Sequence, residues 1–469
     1  MEPPASPRLE RRDYLICLAL LAAVFVVHAA SPNATPFDSR WTVHTAMSIL
    51  REGNTDLDEY LDIIEADDFY GVECVNPDGT HKFPMTSSYD CPTGHVYNWY
   101  PIAVPAMVTP LVAALDIALR AGQPLLRPLA GAVPSPALAG LLRGDLLGSS
   151  AAVQVLLASL IIAVAAALCF LLGREFLGRM GAAGLALIFA FCTPAWSIAS
   201  RALWQHGPSM LLLTAMLLIA ARAERKPELI RWLGALVVFA FFLRPTHAVS
   251  ALVLTIFVWV HYRRQFTGFL LSALPMGLLF DIYHQSVYFS SLAPYSFVTR
   301  KNAASLSLHS RLFEALTGNL ISPSRGLIIF VPLVLLAVYG MFLRPRHRAA
   351  QRLRPYLIAI VCLHWLLIST YEDWWAGHSF GPRYFSDITP VLLFFLIPVL
   401  ERLETDGIRR RLALASVLAV LTLAGFFVHF QGATNWACYE WNATPVDVHE
   451  DEARIWDWSD PQFLRGVRR

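Results

Sequence analysis

The sequence predicts an all-α polytopic membrane protein: a bundle of about eleven transmembrane helices with juxtamembrane or re-entrant helices on its outer face. Three observations predict it. Of 469 residues, 56% are hydrophobic and only 15% are charged, where a soluble domain carries about 25% charged residues. Apolar runs, one after another, approach or reach the roughly 20 residues a helix needs to cross a bilayer, and the mean hydropathy is +0.49. The arginines gather in short loops between those runs, as cytoplasmic loops do.

The first run, 14–30, follows Arg8, Arg11 and Arg12. A cleaved signal peptide has an apolar core of about 7–15 residues; this run is at the upper edge or longer, so it reads as an uncleaved first span. Later basic clusters are Arg174/Arg179, Arg222/Arg225/Lys226/Arg231, Arg263/Arg264, Arg344/Arg346/Arg348/Arg352/Arg354 and Arg402/Arg409/Arg410/Arg411. Placing all of them inside sets the parity of the rest. Spans fall near 14–31, 148–172, 180–199, 207–222, 230–243, 246–261, 267–284, 326–343, 355–371, 386–400 and 412–430, with the N-terminus cytoplasmic and the C-terminus outside.

The apolar segment 100–119 breaks that parity if it crosses. It holds Pro101, Pro105 and Pro110, and Pro124, Pro128, Pro134 and Pro136 follow. Proline removes helical hydrogen bonds, and broken backbone at membrane depth is tolerated only under cover of protein or beside a cavity. Residues 100–145 therefore read as re-entrant or interfacial helices returning to the outer face; a helical pair crossing twice preserves parity equally well. The chain then divides into an N-terminal tail and first helix (1–31), an outer-face loop (32–147), the bundle (148–430) and an outer-face tail (431–469). That tail is too short for an independent core, and Trp436, Trp441, Trp456 and Trp458 suit a membrane interface.

The net charge of +2 gives no sign of a nucleic-acid partner. The seven cysteines contain no CxxC pair. Cys17, Cys169, Cys192 and Cys362 lie in apolar runs as packing residues, while a disulfide between Cys74 and Cys91, which flank the loop 75–90, is left open. No phosphate-binding glycine loop, dinucleotide fingerprint or nucleophile elbow stands in a suitable context.

Most unusual polar residues fall on the expected outer face, so chemistry is expected there. Asp38, in Pro36-Phe37-Asp38-Ser39-Arg40-Trp41, stands where the chain leaves the membrane. Desolvation there raises a carboxylate's affinity for a proton and suits it to general-base work; the plainer role is to cap the helix starting near Trp41. Of the acids 56–68, most read as a solvated helix face, with Asp58 kept as a weaker candidate. Arg201, Arg244, Arg325 and Arg383 lie outside the basic loops, with His378 and Tyr384 close to Arg383 in sequence. Ionisable groups there are functional candidates, and a guanidinium offers paired donors to phosphate oxygens. The plainer role for each arginine is to snorkel to lipid headgroups. A carboxylate and His378 could bind a divalent metal, although no ligand-spaced motif demands one.

The stretch FDSRWTVHTAMSILREGNTDLDEY followed by HVYNWYPIAVPAMVTPL resembles bacterial glycosyltransferases of the GT-C superfamily, as do AFCTPAWSIASRALWQHGPSMLLL, LISPSRGLIIFVPLVLLAVYG and WWAGHSFGPRYFSDITPVL. These are relatives of the protein O-mannosyltransferases and of the transferases that add aminoarabinose to lipid A. The resemblance implies a bacterial plasma-membrane enzyme that takes a sugar from a polyprenyl-phosphate donor to a glycan, lipid or protein acceptor on the outer face. It matches Asp38 to the family's loop-one aspartate, general base or acceptor holder. On this reading the leaving phosphate is expected on the arginines, Arg383 first, then Arg325, Arg244 and Arg201. Where the named relatives carry a basic residue before a double proline, this chain has Asn98-Trp99-Tyr100-Pro101, so the acceptor does not carry over. A transporter or flippase is the rival from another class; it predicts charges near span centres and inverted repeats, and neither is evident.

Overall fold

The structure, a computed structural model, describes residues 9–133, 135–295 and 311–467. Apolar runs became helices throughout. Among the described residues, seven helices are long and apolar enough to cross a membrane: Arg11–Ala30, Ala103–Ala132, Ser150–Arg174, Arg263–Tyr288, Arg348–Ser369, Arg383–Thr405 and Ile408–Thr434. This is a multi-pass membrane protein. The count by length falls below the expected eleven for a physical reason. Four runs fold as short helices, Arg179–Phe191, His206–Arg222, Ile230–Leu243 and Ala248–His261, of 13 to 17 residues. The run 326–343 is divided into Leu327–Phe330 and Val334–Phe342. Pro332 divides it: proline lacks the N–H and drives the residue before it, Val331 (φ −124°, ψ 70°), out of the helical region.

The segment 100–145 also differs from expectation. Its prolines do not break it: one helix of 24 residues, Ala103–Leu126, runs through Pro110 and Pro124. Pro105 sits in the first turn, where backbone N–H groups have no helical partner anyway. An interior proline costs about 3 kcal/mol. Val104, Val108, Val112 and Leu119 recur at helical spacing on one buried stripe, and each fully buried side chain of this size contributes about 1.5–3 kcal/mol, so the stripe outweighs the prolines. The helix packs along Thr42–Arg51, sharing a core with Val43, Ala46 and Met47. The following helix, Pro136–Leu142, returns to the start of Ser150–Arg174 through Leu141, Leu146 and Val153.

Polar residues sort to the two ends of the bundle. At the start of Arg11–Ala30, buried Asp13 accepts from Arg174 Nε and Arg179 Nε, both at 2.9 Å. Glu175 pairs with Arg222 (2.8 Å) and Arg225, Glu224 with Arg352 (2.7 Å), and Glu401 accepts the Arg346 amide. The basic clusters therefore share an end with acids that balance them; Arg8 lies outside the described residues. Past the far end of the same helix, Asn33 donates to Gly432 O (2.9 Å), Thr35 N to Arg201 O (3.1 Å), and Ser39 to Gln154 Oε1 (2.5 Å).

That second end carries a small lobe. Strands β1 (Val72–Val75), β2 (His81–Lys82) and β3 (His95–Asn98) form an antiparallel sheet in the order β2-β1-β3, an addition to the expected all-helical fold. Cys74 and Cys91 are disulfide-bonded, and Trp41, Leu57, Ile64, Phe69, Val72, Met85 and Val96 make the lobe's core. The tail, too short for a core of its own, shares one: Trp441, Val448 and Ile455 are buried with Trp374 and Trp375. Trp436 and Trp458 are the exposed tryptophans there.

Gly340, in Val334–Phe342, lies against the Phe395 carbonyl, which a Cβ would run into. Small residues allow such close helix approach. Gly340→Val should cost about 1–3 kcal/mol by overpacking and lower the thermal midpoint in detergent. Gly184→Ala, in open space, should leave it unchanged or raise it.

Candidate functional site

Asp38 lies in the turn that precedes Thr42–Arg51, where Arg40 N donates to Phe37 O and Thr42 N to Ser39 O. It is not a helix cap: Trp41 holds the N-cap position, and no side chain bonds the helix start. The carboxylate instead accepts from Arg383 Nη1 at 2.8 Å and from Tyr70 Oη at 3.3 Å. Arg383 begins the 3-10 turn Arg383–Ile388, behind Gly381-Pro382. Gly381 has φ +60°, and a Cβ there would meet the Phe330 ring, so this turn requires glycine. Arg383's guanidinium carbon lies 4.9 Å from the centre of the Trp204 ring. Its Nε has no hydrogen-bond partner among the described residues. One prong of the fork is on Asp38, and donor capacity remains.

Arg244 shares Tyr384 with Arg383: both guanidiniums lie over that ring, at 5.7 Å and 5.8 Å. Arg244 Nε pairs with Asp387 Oδ2 at 3.1 Å, and Asp387 Oδ1 lies 2.8 Å from His206 Nδ1. Asp387 and His206 are buried. Each arginine thus carries its own carboxylate, which keeps two like charges tolerable in one desolvated place.

Two cavities meet here. The smaller, about 90 Å³, is lined by Asp38, Tyr100, Trp204, His206, Arg244, Tyr295, Arg383 and Tyr384, among others. The larger, about 480 Å³, is lined by Phe37, Asp38, Tyr70, His378, Arg383, Tyr384, Tyr439, Asp447 and His449, among others. Asp38, Arg383 and Tyr384 belong to both, forming the wall between them. Burial, and then the charge of Asp38, pushes the Tyr70 phenol up to about 12. Tyr100 is pushed further up by burial and by Asp38, and Tyr439 up by burial. At neutral pH these phenols are protonated, and Tyr70 is the one that donates to Asp38.

Of the residues expected from the sequence, Asp38, Arg244, His378, Arg383 and Tyr384 come together. Arg201 and Arg325 do not. Arg201 is fully buried and donates to the carbonyls of Trp196 (3.1 Å), Ser31 (2.9 Å), Asn33 (3.3 Å) and His28. Arg325 donates to Trp375 O (2.8 Å), Ser324 O (2.8 Å), Gly377 O (3.1 Å), Gln462 Oε1 (2.9 Å) and Asn442 Oδ1 (2.6 Å). Both tie chain segments together and have no donors directed at either cavity. Asp58 belongs to the lobe, where it accepts from Val96 N at 2.9 Å and pairs with His95 Nδ1 at 2.6 Å, raising the His95 pKa through that bond. It lines neither cavity.

The sequence reading missed Asp387, Tyr70, Tyr100 and Trp204 as site residues. Asp387 had a signal: it stands inside the apolar run 386–400, and an ionisable group in such a run is a functional candidate. The aromatic residues had none, because aromatics are common throughout this chain. Compared with models of known protein families and with curated proteins, the chain matches none.

Proposed function

We propose that the chain is a membrane glycosyltransferase that moves a sugar from a polyprenyl-phosphate donor to a hydroxyl acceptor at the outer face of a bacterial plasma membrane. The Asp38–Arg383 pair in the wall shared by two cavities carries this reading. Inversion puts the base and the leaving phosphate on opposite faces of the reacting carbon, so the Asp38–Arg383 pair, 2.8 Å apart, must part when the substrates enter. An acceptor hydroxyl attacks the anomeric carbon, and its proton passes to Asp38. The bond from that carbon to the phosphate oxygen breaks, and the electron pair leaves with the polyprenyl phosphate. Configuration at the carbon inverts. The growing negative charge falls to Arg383's remaining donors, with Arg244 over the same Tyr384 ring. An incoming phosphate competes with Asp38 for Arg383, so donor binding frees the carboxylate for its role as base. An apolar groove lined by Val26, Val27, Phe191, Trp196, Phe426 and Phe430 suits a hydrocarbon tail.

Transport is the rival reading, and the buried Asp387–His206–Arg244 group is the observation that favours it. Its members stand at helix ends, however: His206 starts His206–Arg222, and Arg244 caps Ile230–Leu243. The ends of membrane spans suit headgroup depth, where a lipid-linked phosphate lies. The test is incubation of the purified chain in proteoliposomes with polyprenyl-phosphate pentoses and hexoses, following release of polyprenyl phosphate. Release with at least one donor is expected. Vectorial uptake of a donor without cleavage would replace this reading with transport.

The orientation belongs to the same proposal. About eleven crossings, N-terminus inside and C-terminus outside, put the basic end in the cytoplasm. The helix Ala103–Leu126 preserves that parity, because Val104 lines the smaller cavity and the chain after the helix returns to Ser150–Arg174 at the same end. Reporter fusions after Arg179, Arg264 and Arg348 should read cytoplasm, and a fusion after Gly432 should read outside; Lys301 lies outside the described residues. A cytoplasmic reading after Gly432 would move the site to the wrong face.

A further inference from the structure

We infer that His378, Asp447 and His449 form a binding site for a first-row divalent cation, and that the cation faces the larger cavity. Their candidate ligand atoms lie within 4.8 Å of one another. His378 Nε2 is 2.8 Å from Asp447 Oδ2, and the two imidazoles stack at 5.4 Å. All three residues line the cavity that Asp38 and Arg383 close on its other side.

The ligands come from separate segments, and both backbones are anchored. Arg325 grips the turn 372–387 through the carbonyls of Trp375 and Gly377, and the tail through Asn442. Tyr439 Oη donates to His378 O at 3.2 Å. Ala376, two residues before His378, holds φ +64°. A non-glycine residue in that left-handed region is strained and persists where the surroundings over-determine it, often at ligand sites. Asp447 Oδ1 accepts the His449 amide at 2.9 Å, which leaves Oδ2 turned to the histidines.

Two imidazoles and one carboxylate favour zinc, cobalt or another borderline cation over magnesium, which prefers oxygen. Such a set leaves one or more coordination positions open. They open to the cavity, and an anionic or hydroxyl oxygen there is the class of ligand that would fill them. The comparable group Asp56, Asp58 and His95 is a weaker candidate, because it offers one imidazole where the other offers two and it lines neither cavity.

The experiment uses the purified full-length chain, stripped with chelator and titrated with Co²⁺ and Zn²⁺, and does not depend on transfer activity. One equivalent of Co²⁺ should bind with visible absorption bands, and Zn²⁺ should displace it. His378→Ala and His449→Ala should each weaken binding at least tenfold, and Asp447→Asn likewise. His95→Ala should leave it unchanged. Thermal midpoints of the variants separate ligand loss from misfolding. Absence of stoichiometric binding, or binding unchanged in both properly folded histidine variants, would overturn the site. Loss of binding in His95→Ala instead would assign the cation to the lobe and equally overturn it.

Discussion

Asp38→Asn should lower the rate of transfer from a polyprenyl-phosphate sugar by roughly 10²–10⁴-fold, the usual loss when a positioned base is removed. Asparagine keeps the size of the side chain and can still accept from Tyr70, but it takes no proton and offers Arg383 no charge. Side-chain exposures of 28% for Asp38 and 15% for Arg383 mark a partly solvated pair. Stability should therefore fall by only about 1 kcal/mol, and the variant should purify normally. Donor binding should survive or strengthen, because Arg383 loses the carboxylate that competes with phosphate. Near-normal turnover by Asp38→Asn would reduce Asp38 to a counter-ion for Arg383.

Arg383→Ala should weaken binding of both donor and polyprenyl-phosphate product by roughly 10- to 150-fold, since a charge-assisted hydrogen bond contributes about 1.5–3 kcal/mol. Arg383→Lys should also fail to restore function. Lysine is a point charge, and the position uses a flat fork that pairs with Asp38, lies over Trp204 and keeps donors in reserve. Titrating the product lipid against purified variants checks this without any assay of turnover. Unchanged affinity in Arg383→Ala would remove Arg383 from phosphate binding and pass that role to Arg244. Arg325 cannot inherit it, because its donors are already engaged.

The helical, membrane-embedded character was legible because it rests on composition and run length, which do not depend on packing. Helix lengths were less legible. Run 326–343 is apolar throughout, yet Pro332 divides it, while Pro110 and Pro124 leave their helix whole. Both segments bury an apolar stripe, so neither composition nor periodicity separates the two outcomes. The arginines show the same limit. Arg201, Arg244, Arg325 and Arg383 give one signal in sequence, a cation outside the basic loops. Arg201 satisfies carbonyls at and beyond the end of Arg11–Ala30, and Arg325 those of Trp375 and Gly377 in the turn before Arg383, where helical partners are lacking. Only the fold separates an arginine that satisfies carbonyls from one with donors to spare. The sheet of 72–98 was equally hidden, its sole trace being the spacing of Cys74 and Cys91.

Asp38 and Arg383 are 345 positions apart in the chain. Ribosomes add about 5–20 residues per second, so Asp38 emerges roughly 15–70 s before its arginine exists. During that interval the carboxylate at the end of the first helix must be satisfied by water, and the nearby Tyr70 phenol is the earliest partner it can acquire. The wall between the two cavities therefore closes late in biogenesis. Until then a nascent chain holds the acid without its arginine. A chain halted anywhere before residue 383 therefore cannot contain the Asp38–Arg383 contact.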